Sequence, residues 1–186
     1  MHRVAFRPQK GPVTGLRVTP ELVVRELRAQ NFAVLSTVNE SGGPDSAGVN
    51  YGVAATDRPL TLYVMTRRHL RKAMNIASNP AVSLVMAVPR KILRFVPPAT
   101  IQLHGTAEIL DATDPEGTEV FRRSLIGRLI LSAHAASHRR GETRDCFLRI
   151  AIAPEVHTYA VGYSAWELRR DIERGVGFVR MWSDES

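Results

Sequence analysis

Three apolar runs lie close together between residues 32 and 66, and the segments joining them are too short to carry a crossover. Phe32 to Val38 is rich in β-branched and apolar residues, Ser46 to Ala54 forms a second run, and Leu60 to Thr66 places apolar side chains at 60, 62 and 64. Asn39-Glu40-Ser41-Gly42-Gly43-Pro44 supplies the Gly and Asn chemistry of a reversal, and Asp57-Arg58-Pro59 supplies a second. Parallel neighbours need a connection of a dozen or more residues, so these three strands must form an antiparallel meander.

The remaining chain fits around that meander. Thr19-Pro20-Glu21 reads as a helix start, with a hydroxyl cap, a proline at the first helical position and an acid facing the dipole. The expected helix runs to about Gln30 and packs across one end of the sheet. Leu70, Ala73, Met74 and Ala77 give Arg68 to Ser78 a helical period, which Asn79-Pro80 ends. Ala81 to Val88 and Thr100 to Leu110 return to strand, with a basic, proline-containing excursion at 89–98 between them. Asp114-Pro115-Glu116 caps a second long helix that is expected to end near Gly141, and Cys146 to Ile152 and Val156 to Val161 read as two closing strands. The expected fold is mainly β (α+β), an antiparallel barrel of six to seven strands with flanking helices, which leaves few open edges.

At 186 residues and 44% hydrophobic content the chain can build one core without staples, so 1–186 is expected to be a single domain, with 1–18 as an arm and 163–186 as a tail. One cysteine, Cys146, cannot form an intramolecular bridge, and no apolar run of signal-peptide type follows the basic start, so a reducing cytoplasm is the expected compartment. The greasiest region, Leu125 to Ala136, is short and interrupted by Arg128, which argues against a membrane span. A net charge of +7 favours anionic ligands. With only three lysines and arginines spread along the chain, it does not resemble a nucleic-acid-binding arm.

Chemistry concentrates where the third strand meets its helix, in Leu60-Thr61-Leu62-Tyr63-Val64-Met65-Thr66-Arg67-Arg68-His69-Leu70-Arg71-Lys72. A threonine hydroxyl, free backbone N–H groups, the helix dipole and paired Arg and Lys charges converge there, as a phosphate requires. An exposed basic turn is the alternative reading. Cations at a helix N-terminus are unfavourable without an anion to offset them, which tips the balance towards a ligand.

This segment resembles the pyridoxamine 5'-phosphate oxidase family. In that family the corresponding strand ends in an aromatic-threonine pair, followed at fixed spacing by Arg-Lys and then Asn-Pro; Thr66, Arg71-Lys72 and Asn79-Pro80 stand at those intervals. The resemblance extends more loosely from about Phe32 to Leu110. It implies a split β-barrel with FMN between the subunits of a homodimer. Thr66, Arg71 and Lys72 would hold the phosphate, with Met65 and Arg67 flanking. Leu35, Ser36 and Thr37 on the first strand, and Val49 and Asn50 on the second, would lie beside the ring system.

The departures are specific. Phe32 and Thr37 stand where the family's first strand carries an Arg and a Lys, Leu70 replaces a serine, and Thr100 occupies the position of a cofactor-binding glutamine and completes the candidate set. The C-terminal Arg and His pattern that binds pyridoxal phosphate is not recognisable in Tyr163 to Ser186. The resemblance therefore implies a flavin-dependent oxidoreductase acting on a small molecule other than the vitamin. A deazaflavin coenzyme is the alternative cofactor, and a non-catalytic flavin or haem binder, with His69 or His104 as iron ligand, the alternative function.

No catalytic acid or base stands out, and none is needed for a hydride transfer that a bound flavin performs itself. Tyr51 and Trp166 are candidates for the substrate side. His134 and His138 lie one helical turn apart, a spacing that can bind metal, but beside Arg139-Arg140 at a helix end they read as ordinary dipole partners, and no metal is expected. Cys146 opens an apparent core strand and reads as a buried, inert thiol.

Overall fold

The computed structural model describes residues 18–57, 59–89, 98–142, 144–162 and 175–182. The excursion after Val88 and the aromatic tail around Trp166 fall largely outside them. Thr19 caps α1 (Pro20–Ala29) by accepting the Leu22 N–H, at 3.3 Å, with Pro20 at the first position. The strands β1 (Phe32–Val38), β2 (Pro44–Asp57) and β3 (Leu60–Arg67) follow as an antiparallel meander. Asn39 builds the first turn, its Oδ1 accepting from the N–H groups of Ser41 and Gly43, while Gly42 takes the left-handed φ of 81° that the reversal requires.

After α2 (Arg71–Ser78) come β4 (Ala81–Val88) and β5 (Ala99–Asp111), then α3 (Pro115–Arg122), α4 (Leu125–Arg139), β6 (Asp145–Tyr159) and β7 (Val176–Arg180). The sheet order is β3-β2-β1-β4-β5-β6-β7, and β3 also pairs with β6, so six strands close into a barrel and β7 adds to its outside. Closure satisfies the edges of β3 and β6, which an open sheet would leave bare.

Alternation decides what fills the barrel. Leu35 of β1, Leu62 and Val64 of β3, Leu84 and Met86 of β4, Ile101 and Leu103 of β5, and Leu148 and Ile150 of β6 all point inward and are almost fully buried. Tyr63 and Phe147 point the other way, yet they are buried too, because α3 and α4 cover that face. There they meet Val120 and Phe121 in a second cluster, with edge-to-face ring pairs. Val23, Val24 and Leu27 bury α1 against the end of the barrel where β1 starts; Ala73, Asn75 and Ile76 bury α2 near the end where β1 finishes.

Four expectations are corrected. The long helix after Asp114 is two helices: Ser124 starts a new one by accepting the Gly127 N–H, at 2.9 Å, after the first has turned at Arg123. The two closing strands are one strand, β6, which passes through Pro154 by a bulge where Leu103 and Gly105 of β5 face Val156 and Ile152. The last strand is β7, which lies within the expected tail at 163–186. Helix α2 begins at Arg71, leaving Arg67 on β3 and Arg68 to Leu70 in the intervening turn.

Candidate functional site

An open groove of about 380 Å³ runs between β2, the end of β3, the start of α2 and the middle of α4. Gly48, Val49 and Asn50 form an uncharged wall. Met65, Thr66 and Arg67 come from β3, Leu70 and Lys72 from the approach to α2 and its first turn, and Ile130 and His134 from α4. Pairing of β2 with β3 brings the first two groups together, since Tyr51 lies opposite Val64.

Of the expected cofactor residues, the groove gathers Val49, Asn50, Met65, Thr66, Arg67 and Lys72. Arg71 stands beside it on the same helix turn, its side chain 84% exposed and 4.0 Å from the Asp45 carboxylate. Leu35 faces the barrel interior. The Ser36 hydroxyl pairs with that of Ser46 at 2.8 Å, and the buried Thr37 hydroxyl donates to the Asp45 carbonyl and accepts from the Asn75 amide. Thr100 pairs with Ala87 and Tyr159, at the far end of β5 from the groove.

The cations of the segment separate once folded. Arg67 faces Asp145 and Arg68 faces Asp111, while Lys72, among the described residues, has no carboxylate partner and is aimed at the groove. Helix α2 has no acid in its first turn, and its cap residue Leu70 makes no side-chain hydrogen bond. Among the described residues its start therefore has no side-chain cap, and the Asp45 carboxylate meets it through Arg71, at 4.0 Å. A hydroxyl at Thr66, an ammonium at Lys72 and that helix start fit a phosphate, and the small, uncharged wall at Gly48 to Asn50 fits a flat ring system.

Other candidates lie elsewhere. Tyr51, expected on the substrate side, is turned into the core, where its hydroxyl donates to the Leu27 carbonyl at 2.9 Å. His69 is exposed in the turn before α2, and His104 lies on the outer face of β5 with its ring centroid 6.2 Å from that of His157. His134 and His138 do not act together: Nδ1 of His134 meets Asp145, whereas His138 is exposed and lies 3.3 Å from the Glu142 carbonyl. Among the described residues no group of three or more His, Cys, Asp or Glu side chains is placed to hold a metal. Cys146 is buried, and burial pushes its thiol up from the ordinary range.

Sequence reading missed Asp145 and the role of His134. They stand eleven positions apart across a loop, so no periodicity relates the two. Only the return of β6 alongside β3 brings the carboxylate under α4.

A closed barrel with this groove at its flank defines the split-barrel class. The sequence profile of pyridoxamine 5'-phosphate oxidase matches residues 19–154, well over half of the chain. The chain belongs to the pyridoxamine 5'-phosphate oxidase family. No curated protein sequence matches it. Similar solved structures include HutZ, a haem storage protein from Vibrio cholerae, at 16% identity and a TM-score of 0.58, over 78% of this chain and 98% of that one. A haem-binding protein from Mycobacterium smegmatis is 18% identical, with a TM-score of 0.57, over 81% and 57% of the two chains. An FAD-binding protein from Mesorhizobium loti is 22% identical, with a TM-score of 0.52, over 75% and 90%. At these identities the likeness is one of fold.

Proposed function

We propose that this chain is a flavin-binding oxidoreductase that holds FMN in the groove and passes hydride or electrons between it and a small molecule. The observation that carries this reading is the meeting of Thr66, Lys72 and the uncapped start of α2 at one end of a groove whose strand wall is uncharged. Bound flavin supplies hydride transfer at its N5 atom. The chain supplies binding and orientation: Thr66 and Lys72, with Arg71 at the rim, hold the phosphate, and Val49, Asn50 and Met65 lie along the ring. A deazaflavin coenzyme, which also carries a phosphate, would use the same anchors.

The same reading includes a homodimer in the cytoplasm. Val34 and Val85 face one another across the β1–β4 pair on the outside of the barrel, and both are exposed. Phe32, 55% exposed, continues this patch to the groove; its ring fills the space in front of Gly48, where a Cβ would lie 2.8 Å from Phe32 Cζ. A contiguous apolar face bordering a ligand groove is what a second subunit would cover. Among the described residues no helix is long and apolar enough to cross a membrane.

Anaerobic mixing of the FMN-loaded protein with reduced nicotinamide coenzymes tests the reaction. Bleaching of the flavin spectrum, followed by its return on admission of an acceptor, is the expected result. A bound flavin that no nicotinamide or other soluble donor reduces would overturn the oxidoreductase assignment and leave a flavin carrier.

A further inference from the structure

Behind the groove lies a carboxylate that the reading above does not use. Asp145, the first residue of β6, is 7% exposed and sits between two groove residues. Its Oδ1 is 3.4 Å from Nε of Arg67, and its Oδ2 is 2.9 Å from Nδ1 of His134. Arg67 also donates from Nη2 to the Ser137 hydroxyl, at 3.3 Å, so β3, β6 and α4 are tied at one point. A buried carboxylate is tolerable only when paired in this way.

The pairing has a chemical consequence for His134, whose side chain is 19% exposed and lines the groove. Nδ1 lies 2.9 Å from Oδ2 of the carboxylate, a contact without hydrogen-bond geometry, and Nε2 is the ring nitrogen outside that contact. In the neutral ring one nitrogen donates and the other accepts; protonated, both donate and the ring carries charge. Asp145 offsets the charge of Arg67, so a second proton on His134 restores a net positive charge near Lys72.

We infer that His134, oriented by Asp145, is a ligand-binding residue that selects a phosphorylated over an unphosphorylated ligand and couples capture of the phosphate to uptake of a proton. This rests on the phosphate-end assignment above. The charged groups facing His134 are Asp145 from β6, Arg67 from β3 and Lys72 from α2. Beyond its own helix, Glu142 is paired with Arg144 at 2.7 Å.

Calorimetric titration with FMN and with riboflavin, at about pH 6 and about pH 8 and in two buffers of different protonation enthalpy, tests the inference on wild type, His134→Asn and Asp145→Asn. The phosphate's own proton is common to all three proteins, so differences between them report the chain. The wild type should take up more protons per FMN than His134→Asn, which should lose about tenfold in FMN affinity and little for riboflavin. Asp145→Asn should lose part of the coupling; if it does not fold, His134→Asn decides alone. Equal FMN affinity and equal proton uptake in wild type and His134→Asn would overturn the inference while leaving the flavin reading intact. Binding of neither ligand by the wild type would overturn both.

Discussion

The side-chain amide of Asn75 donates to the hydroxyl of Thr37 at 2.9 Å, pinning α2 to the end of strand β1. Both groups are buried, and Thr37 passes the connection on to the Asp45 carbonyl. The position of Lys72, one turn earlier on the same helix, depends on that tie. Asn75→Ala leaves the Thr37 oxygen without its donor and should cost about 1–3 kcal/mol, read as a shift in the urea midpoint at unchanged slope.

The two basic residues of α2 should contribute unequally. Lys72 lines the groove, while Arg71 is pulled towards Asp45 at its rim. Charge-assisted phosphate contacts are worth about 1.5–3 kcal/mol each. Lys72→Ala should therefore weaken FMN binding by about tenfold or more, Arg71→Ala by less, and the pair by more than either, with circular dichroism unchanged. Riboflavin affinity, measured in parallel, should hardly move.

The apolar patch makes its own prediction. Val85→Lys places a charge opposite Val34 on the outer face, where it disturbs nothing in the barrel core. Sedimentation should show a dimer for the wild type and a monomer for the variant, and the monomer should lose flavin affinity along with its partner. A wild-type monomer would contradict the arrangement.

Stability should fall in alkali. Burial pushes the Cys146 thiol above its ordinary value of 9.0, and the Tyr51 and Tyr63 hydroxyls above 10.0, the latter helped by its hydrogen bond to Glu116 at 2.6 Å. With these values raised in the folded state, the unfolded chain releases protons first as pH rises, and stability drains away above about pH 9. Below that the contribution is fully present. Melting temperature should be insensitive to these groups at neutral pH and should decline beyond pH 9, and Cys146 should resist thiol reagents until denaturant is added.

Local chemistry made much of this fold legible. The Asn39 to Pro44 reversal, the Thr19 and Asp114 caps and the apolar residues of β3 at 60, 62 and 64 are all encoded within a few residues, and each stands in the structure. The break between α3 and α4 was not legible, because apolar residues continue across Ser124. It shows only in three dimensions, where a Cβ on Gly127 would lie 2.0 Å from the Phe121 carbonyl oxygen. Pro154 misled for a different reason: proline argues against a strand interior unless a bulge receives it, and the bulge is a property of the β5–β6 pairing. The groove was half legible. Its strand-to-helix end carries a contiguous motif, whereas its α4 wall and Asp145 come together only through barrel closure.

Whether the groove takes a phosphorylated flavin is decided by fluorescence titration of the purified protein with FMN, and separately with the deazaflavin coenzyme, at low and high salt. One of the two should bind tightly with little loss at high salt, since a ligand enclosed between strand and helix is less screened than one on an open surface. Binding of neither, or binding that disappears with salt as on an exposed basic patch, would rule out a phosphorylated flavin in the groove.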